Sequence, residues 1–190
     1  MSLPEIFGTI LGVIGVGLII RQSIWGWPVG LVQVSLSAWV FFRAQLYSDV
    51  ILQGFFFVVQ AYGWWHWWRG GVAAAAGLPV TRLSGRAIGG WVITGLAVSV
   101  VWGEFMRRQT DAALPHWDAF ILVFSILAQW LQARKRLENW VTWMVVNVVA
   151  VGVYWAKDLW LFSGLYLLFL GMAVAGHVAW RKSLVEGRSA

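Results

Sequence analysis

Apolar runs long enough to cross a bilayer, about 20 residues at 1.5 Å of helix rise each, follow one another along this chain, and short breaks between them hold most of its charge. The runs fall near 3–20, 25–42, 49–68, 87–105, 118–133, 139–155 and 159–180 and predict seven membrane-spanning helices. The fifth is the weakest, because Gln129 and Gln132 shorten its apolar part. The longest break, GGVAAAAGLPVTRLSGR at 70–86, is Gly/Ala-rich with Pro79 and reads as a loop. The opening residues, MSLPEIFGTI, place an acid and no base ahead of the apolar run, which reads as a first span and not as a cleaved signal peptide.

Composition agrees with an integral membrane protein: 60% of the 190 residues are hydrophobic, 12% are charged, and the mean hydropathy is +0.72. With no cysteine, disulfide and thiolate chemistry are excluded. His66, His116 and His177 show no metal-binding spacing, no Gly-rich phosphate loop precedes a Lys-Ser/Thr pair, and no nucleophile sits with an acid–base partner. The expectation is therefore a protein that is not an enzyme and carries neither metal nor cofactor. The net charge of +6 lies in the breaks, where cytoplasmic loops of membrane proteins carry it, and does not indicate a nucleic-acid partner.

Counting Lys and Arg on the two sides defined by seven spans gives four on one side (Arg43, Arg107, Arg108, Lys157) and ten on the other, together the 14 present. The richer side holds Arg21, Arg69, Arg82, Arg86, Arg134, Lys135, Arg136, Arg181, Lys182 and Arg188. The positive-inside rule makes it cytoplasmic, with the N-terminus outside and the C-terminus inside.

An odd span count lets three helices before and three after a linking helix share one orientation, and a shift of 113 residues reveals a parallel repeat. FFRAQLY (41–47) falls on YWAKDLW (154–160), Trp27 on Trp140, Gly63 on Gly176 and Trp67 on Trp180. The chain divides accordingly into a three-helix bundle (1–69), a linking helix (87–105) and a second three-helix bundle (118–182) in one membrane domain.

In the third span, Gln53, Gln60, Trp64 and Trp67 stay within about 60° of one another at roughly 100° per residue. Trp140, Trp143 and Asn147 share a face of the sixth, and the shift carries the third-span stripe to Tyr166, Ala173, His177 and Trp180 of the seventh. Gln33, Gln60 and Asn147 fall near the middle of their spans, where a buried amide needs a partner. Either they line a cavity and bind a solute, or they are helix–helix glue. Their common depth and aromatic neighbours favour the cavity, with Trp140 and Trp143 as flat walls for a ring, more so a cationic one. Trp25, Trp27, Trp65, Trp68 and Trp160 read as interfacial belt residues. His177 is open between a packed histidine and a ligand contact. The acids lie at span ends or in loops, with Asp118 read as a cap of the fifth helix and Glu138 as favouring the N-terminus of the sixth. With no ionisable group at depth for a coupling ion, facilitated diffusion is the simplest mechanism.

RAQLYSDVILQGFFFVVQAYGWWHWW, PHWDAFILVFSILAQWLQARKRLENWVTWMVVN and the closing GHVAW resemble the PnuC vitamin transporters over nearly the whole chain. The resemblance implies a seven-helix 3+1+3 fold related to the sugar-transporting SWEETs and a homo-oligomer, a trimer, in the bacterial inner membrane. It also implies facilitated diffusion with trapping by a cytoplasmic kinase. The solute expected first is nicotinamide riboside, with family branches for thiamine, riboflavin and deoxynucleosides. The Trp-x-x-Trp-x-x-x-Asn pattern falls on Trp140, Trp143 and Asn147, and the third-helix amides on Gln53 and Gln60. Where asparagine is expected in nicotinamide riboside members, this chain has Gln33 and Gln60, and Ala175-Gly176 replaces Asn-Gly. The candidate solute-binding residues are thus Gln33, Gln53, Gln60, Trp64, Trp140, Trp143, Asn147, Tyr166 and His177. Thiamine or another vitamin or nucleoside stands second, and a non-transporting bundle with structural amides third.

Overall fold

A computed structural model describes residues 3–43, 45, 47–73 and 78–186. Residues 74–77 of the long break, Ala44 and Leu46 of the FFRAQLY match, and Arg188 of the basic count lie outside the described residues. The described residues form seven helices: α1 (Leu3–Ile20), α2 (Gly26–Arg43), α3 (Tyr47–Ala73), α4 (Gly85–Gln109), α5 (Pro115–Ala133), α6 (Glu138–Ala156) and α7 (Trp160–Glu186). Three stretches, α4, α6 and Trp160–Val185 of α7, are long and apolar enough to cross a membrane by length and composition alone, and Ile6–Ile20 is a shorter apolar helix. The helices that fall short, α2, α3 and α5, carry the glutamines: Gln33, then Gln53 and Gln60, then Gln129 and Gln132.

Six helices close a ring in the order α1, α2, α3, α5, α6, α7 and back to α1, while α4 packs outside it on α5. Phe124 of α5 seats on Gly95 of α4, where an added Cβ would lie 2.9 Å from the ring. Four short turns join the ring helices, and each places a non-glycine residue in the left-handed region: Gln22 (φ 57°), Gln45 (φ 61°), Lys135 (φ 52°) and Asp158 (φ 58°). Such residues end helices by returning a backbone N–H to the last turn. Ser23 N donates to Leu18 O and Arg136 N to Leu131 O, both at 2.9 Å. The numbers 22 and 135, like 45 and 158, differ by 113.

The end of the ring holding the α1–α2 and α5–α6 turns is closed by a chain of four indoles. Trp27 meets Trp67 edge to face at 5.4 Å, Trp67 meets Trp180 at 5.8 Å, and Trp180 meets Trp140 edge to face at 5.4 Å. Gly63 and Gly176 make room for the outer pair: a Cβ there would lie 2.5 Å from the Trp27 ring and 2.6 Å from the Trp140 ring. The inner pair ties helices together, Trp67 Nε1 donating to Ala133 O and Trp180 Nε1 to Ile19 O, each at 3.1 Å. Trp27, read from sequence as a belt residue, is 1% exposed, because the notch at Gly63 takes its ring inside; Trp25, Trp65, Trp68 and Trp160 are exposed.

The described end of the long break is ordered by docking on the α5–α6 turn. Thr81 N donates to Lys135 O at 3.1 Å and Leu137 N to Thr81 O at 2.9 Å, forming an isolated bridge. Glu138, at the start of α6, accepts from Leu83 N at 3.1 Å. Asp118 does not cap α5, whose first residue Pro115 follows Leu114; its two carboxylate oxygens instead accept from Lys157 Nζ at 2.8 Å, pinning the start of α5 to the end of α6.

Lys135 is a buried cation, 6% exposed, with Nζ 2.6 Å from Leu78 O and 4.6 Å from the Trp67 ring centroid. Burial pushes its pKa down to about 8 from the usual 10.5. Between those values the unfolded chain holds the proton more firmly than the native one, so stability rises with pH across the window and is flat below it. Melting curves should show wild type gaining stability from pH 8 to 10 relative to Lys135→Met, with parallel behaviour below pH 7.5.

Candidate functional site

Above the indole cluster the ring encloses a cavity of about 260 Å³. Every ring helix contributes to its lining and α4 does not. From α1 come Gly12 and Gly15, the second packed close against α2 at Gly26 and Gly30, together with Val16 and Ile19. Trp27 and Trp140 form part of the wall beside Gly26, Gly30, Gln33 and Gln60, while α5 supplies Gln129 and Gln132. Trp143 and Asn147 of α6 and Tyr166, Phe169 and Ala173 of α7 complete it.

Five amides therefore share one cavity: Gln33, Gln60, Gln129, Gln132 and Asn147. Gln33 Nε2 donates to Ser37 Oγ at 3.1 Å, one helical turn away. The Gln60 amide oxygen lies against Gly30, over the space a Cβ would fill. Gln132 Oε1 accepts from Trp143 Nε1 at 3.2 Å. Asn147 is buried and lines the cavity. Tyr166 stacks on Tyr154 at 5.1 Å, its ring held along the wall. The indole nitrogens of Trp27 and Trp140 are buried without an acceptor among the described residues, each a donor whose desolvation costs about 1–3 kcal/mol.

Of the nine residues expected from sequence, six line the cavity: Gln33, Gln60, Trp140, Trp143, Asn147 and Tyr166. Gln53, Trp64 and His177 do not. The buried arc of α3 consists of Val59, Gln60, Gly63 and Trp67, set by the seating of Trp27 on Gly63. At 100° per residue that arc is rotated roughly 65° from Gln53 and 85° from Trp64, so Trp64 is 41% exposed. His177 is half-buried on α7, its Nδ1 enclosed without a hydrogen-bond partner. Sequence reasoning missed Gln129 and Gln132 as lining residues, although two amides one turn apart in an apolar run were the available signal. No Asp, Glu, His, Lys or Arg lines the cavity, and no group of three metal-ligating side chains occurs among the described residues.

Residues 2–182 match the family model described as nicotinamide mononucleotide transporter. This chain belongs to the PnuC family of transporters. It is 30% identical over 210 aligned residues to the nicotinamide riboside transporter PnuC of Escherichia coli (strain K12), covering 98% of this chain and 88% of that protein. Identity to the riboflavin/roseoflavin transporter RibM of Streptomyces davaonensis is 32% over 182 residues, covering 93% and 83% of the two chains. A crystal structure of the vitamin B3 transporter PnuC superposes with a TM-score of 0.74 at 24% identity, over 95% of this chain and 81% of that one. The chain is accordingly a membrane protein of vitamin-transporter type and not an enzyme.

Because the Gln60 amide rests directly on Gly30, the methyl group of Gly30→Ala must displace it. Solute uptake into proteoliposomes should fall about ten-fold in Gly30→Ala, the scale of one lost buried hydrogen bond, while the melting temperature stays within a few degrees of wild type.

Proposed function

We infer that this PnuC protein takes up nicotinamide riboside by facilitated diffusion, with phosphorylation by a cytoplasmic kinase trapping the solute. The observation that carries the reading is the cavity itself, in which amides and the Trp143 and Tyr166 rings face one space inside the ring. A flat heteroaromatic ring stacks on the aromatic walls and, if cationic, gains up to about 2 kcal/mol in a dry site. A sugar and carboxamide supply polar edges for amide side chains. Gln33, Gln60, Trp140, Trp143, Asn147 and Tyr166 are the solute-binding residues of this proposal. Gln53, Trp64 and His177, outside the cavity, take no part in the state described.

The relatives divide between nicotinamide riboside and riboflavin at nearly equal identity, so similarity alone does not choose. The volume favours the smaller solute: about 260 Å³ lies below the usual range of roughly 300–1,000 Å³ for ligand pockets, which suits one ring and a pentose better than three fused rings with a ribityl chain. Thiamine, compact and cationic, is the second reading for the same reason. A lining without carboxylate or ammonium groups supports passive transport, since ion-coupled carriers usually keep such a group at depth.

The architecture proposed is a 3+1+3 parallel repeat of the SWEET kind, with bundles 1–69 and 118–182 joined through the helix at 87–105. Its support is the shared spacing of 113 in the left-handed turn residues, the two tryptophans in glycine notches and the donors of the two indole-to-carbonyl bonds. The protein is placed in the bacterial inner membrane as a homo-oligomer, a trimer, with its N-terminus outside. The indole cluster then closes the cytoplasmic end, beside Arg134, Lys135 and Arg136, and alternating access requires it to part.

Calorimetric titration of purified protein with nicotinamide riboside, thiamine and riboflavin should show saturable binding of the first. Trp143→Ala and Asn147→Ala should each weaken it by about 1–3 kcal/mol, and proteoliposome uptake should be indifferent to imposed proton or sodium gradients. Unchanged affinity in both variants would remove the site, and preference for riboflavin would reassign the solute. The absence of native cysteine allows a direct orientation test with a membrane-impermeant maleimide on intact cells: Asp111→Cys should label and Arg82→Cys should not.

A further inference from the structure

Trp140 and Trp143 are three residues apart on one face of α6, yet they are held differently. Trp140 is 1% exposed, seated in the Gly176 notch, and its Nε1 has no acceptor among the described residues. Trp143 is only partly buried, and none of the described glycines makes a seat for it. Its one polar atom instead donates to Gln132 Oε1 across the α5–α6 pair at 3.2 Å. An indole nitrogen can only donate, so this bond fixes which end of the Gln132 amide faces Trp143. One lone pair of that oxygen is engaged, and the Nε2 group remains as a donor to the cavity that both residues line.

The opposite wall is built the other way round. The 113 spacing puts Gly30 where the second half has Trp143, and Gln60 where it has Ala173. The first half thus presents an amide over a glycine, and the second presents a large ring next to a small alanine. The position matching Gln132 is Ile19, which cannot hold a ring by a side-chain hydrogen bond. The restraint exists only on the side that has a ring to restrain.

We propose that Gln132 is a positioning residue: its amide oxygen fixes the Trp143 ring as the flat wall of the cavity, and its amide nitrogen is left to donate to a carbonyl- or hydroxyl-type acceptor on a flat-ringed solute. This rests on the reading of the cavity as the solute site. It assigns discrimination to α5, so that a ring lacking an edge acceptor leaves the Gln132 donor unpaired and binds more weakly.

Two measurements test it. Fluorine NMR of 5-fluorotryptophan-labelled protein without solute, with the Trp143 line identified by its loss in Trp143→Phe, should show that line shifted or broadened in Gln132→Leu. An unmoved line overturns the restraint. Calorimetric titration with nicotinamide riboside should show Trp143→Phe, which keeps a ring but deletes the donor, weakening affinity about three- to ten-fold. Gln132→Leu should weaken it more, and the double variant should match Gln132→Leu alone. Wild-type affinity in Trp143→Phe, or effects that multiply in the double variant, would overturn the coupling. Should Gln132→Leu fail to fold, Trp143→Phe still decides the binding arm. Should wild type bind riboflavin and not nicotinamide riboside, the solute assignment falls, and the same cycle run with riboflavin decides the role of Gln132.

Discussion

Two tryptophan rings seated on glycine backbones hold the ring of helices at one end, and the cavity exists because they do. In a bilayer, helix association gains little from the hydrophobic effect, since lipid is as apolar as leucine; close packing and interhelical hydrogen bonds supply the drive. Trp27 on Gly63 and Trp140 on Gly176 bring α2 to α3 and α6 to α7 at distances that a single methyl group would prevent. Trp67 of α3 and Trp180 of α7 then reach across to α5 and α1, and each donates to a carbonyl in the last turn of that helix, where no helical N–H follows to donate to it. Packing of α2 on α3 and of α6 on α7, and hydrogen bonding from α3 to α5 and from α7 to α1, are thus carried by one connected set of four rings.

That arrangement determines where polar groups are tolerated. The indoles close the ring at one end, and beyond them the ring helices leave a space that the amides face. An amide in hydrocarbon without a partner is unfavourable, yet these five do not all pair with one another: Gln33 bonds Ser37 and Gln132 bonds Trp143. Helix glue would be expected to satisfy its amides across helix contacts. A lining whose hydrogen-bonding capacity is partly uncommitted has the property a transport site needs, because solute and water can exchange there at similar free energy.

The seven helices were legible because their apolar runs stand out directly in the composition, and the described helix ends fall within a few residues of those runs apart from the extensions of α3 and α7. The turns were not. Left-handed residues are usually glycine, but here they are Gln22, Gln45, Lys135 and Asp158, so nothing in residue type marked them. Trp27 misled for a related reason, since a tryptophan near a span end has the same sequence signature in a belt as in a core notch, and the decisive partner, Gly63, lies 36 residues away in the chain. The α3 stripe located Gln60 but was centred on Gln53 and Trp64, whereas the buried face centres on Gly63. A glycine carries no hydrophobicity, and an amphipathic reading gives it no weight.

The residues that hold the ring and those that furnish its interior overlap at Trp27, Trp140 and Ile19, whose carbonyl takes the Trp180 bond. Gly63, Gly176, Trp67, Trp180 and the four turn residues set helix positions and do not touch the cavity. Gln33, Gln60, Gln129, Gln132, Trp143 and Asn147 face the cavity without joining the indole chain. Exchanging one of the second group changes volume and hydrogen bonding locally, without the steric penalty that exchange of Gly63 or Gly176 brings. A scaffold divided in this way can serve solutes as different in size as nicotinamide riboside and riboflavin, the ones named for its relatives, by altering a few lining side chains while the packing at its closed end stays the same. Trp140 stands at the junction of the two groups, fixed in the Gly176 notch on one side and lining the cavity on the other. Any movement that opens the closed end must therefore also move part of the cavity wall.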